Sequence, residues 1–117
     1  MSIRANVDEL NAMILQGEIL DAFEKFYADD VVMSDNHQDI REGKDECRAY
    51  EEAFVNGLTE FRGAEVKSVA VNEKEDVAMI EWFFDYTHED WGDMTYHQVA
   101  VQEWDDGQIV RETFYHA

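Results

Sequence analysis

The spacing of the apolar residues changes once along this chain, and that change limits the available folds more than any other feature. Through Leu58 the apolar positions recur at helical intervals; from Arg62 onward they alternate. Ile3, Val7, Leu10 and Ile14 mark one face of a first helix that stops near Gly17, and Ile19, Leu20, Phe23, Phe26 and Tyr27 mark a shorter second helix ending at "ADD". Val31 to Met33, too short for a helix and rich in β-branched residues, predicts a short strand. Gly43 opens a third helix. Asp45 and Glu46 occupy its first turn, where the helix dipole favours anions, and Cys47, Tyr50, Phe54 and Leu58 form its apolar stripe. Val66 to Val71, Val77 to Thr87, Met94 to Trp104 and Gln108 to Tyr115 then predict four longer strands. Their connections "NEKED" and "WDDGQ" are short and polar, the second with a glycine where a hairpin needs positive φ, so successive strands run antiparallel. Three helices followed by a meander predict an α+β fold with the helices packed on one face of a twisted, mainly antiparallel sheet. At 117 residues, 45% of them apolar, residues 1–117 are expected to form one domain with a real core.

Charge narrows the partners. Against 28 acidic side chains stand 9 basic ones, and a formal charge of −19 repels nucleic acid phosphates and anionic lipid headgroups, so neither nucleic acid nor a membrane is an expected partner. No apolar stretch reaches the roughly 20 residues of a membrane span, and the amino terminus lacks the basic start and apolar run of a secretory signal; the expected location is the cytoplasm. Cys47 is alone, cannot form an internal disulfide and reads as a small core residue. No Gly-rich phosphate loop, serine elbow, His-x-Glu or Cys-x-x-Cys spacing occurs, so no cofactor and no metal is expected. His88, Glu89 and Asp90 are adjacent and point in different directions, which reads as a solvated loop, and His116 stands where a chain end frays.

Several residues have the chemistry of a site. "MIEWFFDYTH" places Ile80, Trp82, Phe84 and Tyr86 on one face of a strand and Met79, Glu81, Phe83 and Asp85 on the other. The first face suits a pocket wall and equally suits plain core packing or a dimer interface. Asp35, in "FYADDVVMSDN", is either an exposed turn residue or a general base at a pocket rim, and His37 lies close enough in sequence to orient it. His97 alternates with Val99 and Val101; should that side be the cavity, it is the best placed titratable group there, and otherwise it is a structural histidine. Because three helices cover one sheet face and both faces carry large apolar residues, a homodimer through the outer sheet face is expected.

The order of helix, Gly17, short helix, "FYADD", short strand, third helix and four strands closing with "VQEWDDGQIVRETFY" resembles the nuclear transport factor 2-like (cystatin-like) superfamily, and within it the SnoaL-like, polyketide cyclase-related proteins. The resemblance implies a cone-shaped fold whose curved sheet and helices enclose a mostly apolar pocket, often in a homodimer, and it spans isomerases, dehydratases, cyclases, hydrolases and binding proteins. In the ketosteroid isomerases of this superfamily the base follows the "ADD" strand, and Asp35 falls on that position. Leu10 stands where their oxyanion tyrosine would be, and Val99, Ala100 and Val101 occupy the region of the partner acid, so steroid-type isomerisation is not expected. A SnoaL-type cyclase would carry an aspartate on the last strand, whose inward set here is Val110, Glu112, Phe114 and His116; the activity is therefore not carried over residue by residue. The expected catalytic residues are Asp35, His97 and Glu112. The expected ligand-binding residues are Tyr50, Phe54, Trp82, Tyr86, Phe114 and His37. The expected function is acid–base chemistry of cyclase, isomerase or dehydratase type on a small apolar or aromatic carbonyl compound; the alternative is a non-catalytic ligand-binding or dimeric scaffold module.

Overall fold

The computed structural model describes residues 2–117. Helix α1 spans Ile3–Leu15, and Ser2 caps it by accepting a hydrogen bond from the Ala5 amide at 3.2 Å. It ends where Gly17 takes φ of 84° and the Glu18 amide returns to the Met13 carbonyl, a left-handed stop that glycine adopts without strain. Helix α2, Ile19–Phe26, buries Ala22, Phe23 and Phe26 and runs directly into strand β1, Tyr27–Asp35. Strand β1 is three times the length the Val31 to Met33 reading gives it. A further strand that reading does not contain, β2 over Gln38–Glu42, folds back on β1 through Asn36 and His37. Both turn residues have positive φ, the backbone of a two-residue hairpin turn, which Asn tolerates.

Helix α3, Lys44–Gly57, begins after Gly43, and Glu46 in its first turn accepts from the Glu42 amide. Strands β3, Leu58–Asn72, β4, Val77–His88, β5, Gly92–Asp105, and β6, Gln108–Tyr115, form the expected meander, each at least as long as predicted. The sheet order is β2-β1-β6-β5-β4-β3, antiparallel throughout except that β1 and β6 are parallel. Three register shifts along the β3–β4 pair bend and twist that edge, since each inserts a residue on one strand only. The result is an α+β fold of the nuclear transport factor 2-like, cystatin-like type. Its core lies between the helices and the inner face, with Val7 and Leu10 of α1, Phe23 and Phe26 of α2, and Ile80 and Trp104 of the sheet packed together. Cys47 is part of it.

The two faces are set by register. Ala78, Ile80, Trp82 and Tyr86 of β4 are buried, and their partners on β5 include Gln102, Ala100 and Gln98. Met79, paired with Val101 on the opposite face, is 48% exposed. Strand β4 also runs one residue past Thr87, which turns His88 inward rather than into a solvated loop: it is 2% exposed and stacks on Trp91 with ring centroids 3.9 Å apart. Gly57 makes this possible, because a Cβ there would lie 2.1 Å from the His88 Nε2. No helix among the described residues is long and apolar enough to cross a membrane.

Candidate functional site

A cavity of about 590 Å³ opens between the helices and the inner face of β4, β5 and β6. Its walls are mainly aromatic because the inward positions of these strands are. Trp82 and Phe84 stack at 5.2 Å, Phe54 of α3 meets Tyr86 edge-on at 5.4 Å, and Trp91 stands at the β4–β5 end with 45% of its surface exposed. The hydroxyls of Tyr86 and Tyr96 bond to each other at 2.8 Å. Burial pushes both phenols above their ordinary range, most strongly Tyr96, so both stay protonated as hydrogen-bonding groups.

Glu112 forms the centre of a buried polar network in this cavity. It is 2% exposed, accepts a hydrogen bond from the Tyr27 hydroxyl on Oε1, and accepts another from the Gln102 Nε2 at 2.8 Å on Oε2. Gln102 is held in turn by the Trp104 indole at 3.1 Å. Burial is the largest influence on Glu112 and outweighs both neutral donors, pushing its pKa up to about 7. Glu51, one turn along α3 from Cys47, also lines the cavity, and burial together with the negative charge of Glu112 pushes it up to about 7. Unlike Glu112 it receives no hydrogen bond that would favour its ionised form. With the Glu112 charge raising Glu51, and burial raising both, a proton is held between the two carboxyls at neutral pH. Glu51, without a donor, is its natural carrier.

Asp35 lies at the cavity rim at the end of β1. Its Oδ2 is 3.3 Å from the Tyr50 hydroxyl and 3.4 Å from Arg41 Nη1, while its Oδ1 is 3.8 Å from His116 Nε2. Arg41, on β2, lies flat over the Tyr50 ring at 3.9 Å and donates to the Asp39 carbonyl at 2.8 Å, so it is a fixed support behind the rim. Burial and the Asp35 charge push the Tyr50 phenol up to about 12. His116 does not fray: its backbone is clasped by both ends of the Asn36 side chain, at 3.1 and 3.2 Å, and it reaches the cavity wall.

The structure brings together around one cavity Asp35, Glu112, Tyr50, Phe54, Trp82, Tyr86 and Phe114 of the expected residues. Two others lie elsewhere. His97 pairs across the strands with Phe83, on the outer face; its side chain is 60% exposed and sits 3.8 Å from Glu81. The alternation with Val99 and Val101 was read in phase, but the phase belongs to the outer side, since it is Tyr96, Gln98 and Gln102 that line the cavity. His37 projects from the β1–β2 turn and bonds the Tyr115 hydroxyl at 2.7 Å, because positive φ aims it away from the pocket. Sequence reading missed Glu51, Tyr27, Gln102 and Tyr96. Glu51 follows Tyr50 and precedes Phe54 by three, a helical interval that signals a shared face; the other three carry no local signal.

A SnoaL-like domain model matches residues 7–112. Among solved structures, a candidate SnoaL-like polyketide cyclase from Mesorhizobium loti is 25% identical, with a TM-score of 0.85, covering 98% of this chain and 99% of that one. A candidate isomerase from Bacillus subtilis is 17% identical, TM-score 0.81, covering 100% and 90%. A nuclear transport factor 2-like protein of unknown function from Burkholderia xenovorans is 19% identical, TM-score 0.77, covering 98% and 82%. The last two show the fold alone. No curated protein matches the chain. With 7–112 matched by one family model and the fold shared with its structural relatives, the chain belongs to the SnoaL-like domain family.

Proposed function

We propose that this protein is a cofactor-independent acid–base enzyme of isomerase, cyclase or lyase type that acts on a small apolar or aromatic carbonyl compound bound in the cavity. The observation that carries this reading is the presence of Glu51 and Glu112, both raised to about 7, on the wall of a cavity rich in aromatic side chains. A general base and a general acid work best with pKa values near the working pH, and a like-charged pair of raised pKa supplies one of each at pH 7. Glu112, supported by Tyr27 and Gln102, is the carboxylate. It takes a proton from the carbon next to the substrate carbonyl, and the bonding pair moves into the carbon–carbon bond as the carbonyl oxygen takes the Glu51 proton. Return of a proton from Glu112 to carbon, at the same or a conjugated position, and of the enol proton to Glu51 completes the exchange. Asp35 at the rim, held by Tyr50 and Arg41, is the second base that can reach a bound carbon acid. The chain acts as a homodimer joined through the outer sheet face, where Met79, Phe83, Val99 and Val101 lie together.

The test is deuterium uptake in D2O next to the carbonyl in a panel of aromatic and alicyclic ketones, followed by NMR. Exchange above the buffer rate is expected, highest near pH 7, and Glu112→Gln is expected to reduce it about 100-fold or more, with Asp35→Asn measured beside it. Ketones that bind but never exchange would replace this reading with a non-catalytic ligand-holding module.

A further inference from the structure

We propose that the ligand of this cavity carries a positive charge: an ammonium or other organic cation held between the aromatic walls and the carboxylates that ring them. Resting on the reading above, the substrate is then an amine-bearing carbonyl compound. The sign of the wall is the first ground. Among the described residues, Asp35, Glu51, Asp93 and Glu112 line the cavity, no lysine or arginine does, and His116 is the only basic side chain there. Arg41, the nearest guanidinium, stands behind the rim and is bound to Asp35 and the Asp39 carbonyl. Arg62 faces the other way, paired with Asp85 on the outer side of β4.

The chemistry of the walls is the second ground. Trp82, Phe84, Tyr86, Trp91 and Phe54 expose ring faces and edges to the cavity, and a ring face attracts a cation through its quadrupole while repelling an anion. An anionic ligand would meet four carboxyl groups in a chain of formal charge −19. Although Glu51, Glu112 and Asp35 act on one another electrostatically, among the described residues no group of three His, Cys, Asp or Glu is placed to hold a metal ion. The complement is therefore an extended organic cation rather than a compact inorganic one.

Proton linkage supplies a signature that nonspecific attraction lacks. Glu51 and Glu112 both line the cavity, and the charged and titratable groups acting on them are Asp35, Arg41 and Tyr27, of which Arg41 is the single cation. A bound ammonium adds a second and lowers the pair's hold on its shared proton, so binding releases part of a proton while Glu51 still carries the rest near neutral pH. Affinity for a cation should rise with pH through about 7, whereas affinity for a neutral ligand of the same shape should not.

The experiment compares phenyltrimethylammonium with its uncharged carbon isostere tert-butylbenzene, read by tryptophan fluorescence and calorimetry. It is run in ~0.5 M NaCl, where the Debye length is only several ångströms and general surface attraction is screened. At about pH 8 the cation is expected to bind at least about tenfold tighter. The preference should shrink toward pH 5 and fall about tenfold in the Glu51→Gln, Glu112→Gln double variant, while tert-butylbenzene affinity, which reports an intact cavity, stays constant. Equal or weaker binding of the cation at pH 8, a preference that ignores pH and both substitutions, or binding of neither compound would overturn the proposal. The ketone exchange assay uses uncharged substrates and fails separately: exchange without cation preference removes only the charge proposal, and cation preference without exchange removes only the enzymatic reading.

Discussion

Glu112 and Asp85 lie on opposite faces of the same sheet, and each carboxyl accepts two side-chain hydrogen bonds. Asp85 accepts from Arg62 Nε and from the Thr95 hydroxyl, both at 2.9 Å, and its pKa is lowered, chiefly by the Arg62 bond. Glu112 accepts from Tyr27 and Gln102, and its pKa is raised to about 7. The number of hydrogen bonds is the same, so it does not decide the direction. What differs is the charge of the donors and the access of water. On the outer face a guanidinium adds its charge to the bond and solvent stabilises the ion; on the inner face two neutral donors only partly offset the loss of water. The inner acid is thereby poised to exchange protons near neutral pH, while the outer one stays ionised and serves the surface.

The largest test of this contrast is stability against pH. The Glu112 carboxyl titrates near 7 in the folded chain and near 4.5 when unfolded, so between those values the folded state holds the extra proton. Stability from this group is fully present below pH 4.5, is lost as pH rises through about 7, and is then flat. Titration near 7 instead of 4.5, at about 1.4 kcal/mol per pH unit, amounts to about 3–4 kcal/mol. Glu112→Gln, which keeps a hydrogen-bonding group but cannot ionise, is expected to exceed the parent by about that amount at pH 8 relative to pH 4, measured by urea unfolding at both. An unchanged pH slope in the variant would remove Glu112 as the poised group. Its gain in stability should accompany the loss of ketone exchange, as expected where an active site holds a group under strain.

The second test concerns whether the outer face stays wet. If the proposed homodimer forms through Met79, Phe83 and Val101, light scattering at micromolar concentration gives the dimer mass, and Phe83→Glu shifts it to monomer by placing a charge where apolar surface must close. A monomeric parent would leave the outer face fully solvated and end the dimer proposal. The smallest effect is expected from Arg62→Ala. Its removal should return the Asp85 carboxyl toward the ordinary range in an NMR titration and leave thermal stability nearly unchanged, because exposed pairs contribute little. A large loss of stability would show that the outer pair is sealed from water after all.

Much of the architecture was legible because periodicity reports it locally. The three helices, the meander and the aromatic face of Trp82, Phe84 and Tyr86 follow from spacing alone, and Glu112 shares a side with Phe114 by simple alternation. Other features have no local signal. Strand β2 reads as loop, since Gln38–Glu42 is polar and mostly exposed, and only its pairing with β1 makes it a strand. His97 was misplaced because alternation states that two faces exist without stating which one the helices cover; the register of β5 against β4 answers that. Asp35 was visible as a carboxylate at a strand end, yet its setting required Arg41 from β2, Tyr50 from α3 and His116 from the end of the chain.

By itself the sequence determined the three helices and the meander, the charge and which residue types were available for chemistry, because dihedral preference and apolar spacing act over a few residues. Only the tertiary structure decided that Glu51 and Glu112 line one cavity with Tyr27 and Gln102. Desolvation and Coulomb coupling depend on distance through space, and these four residues come from different elements, separated by as many as 85 positions along the chain.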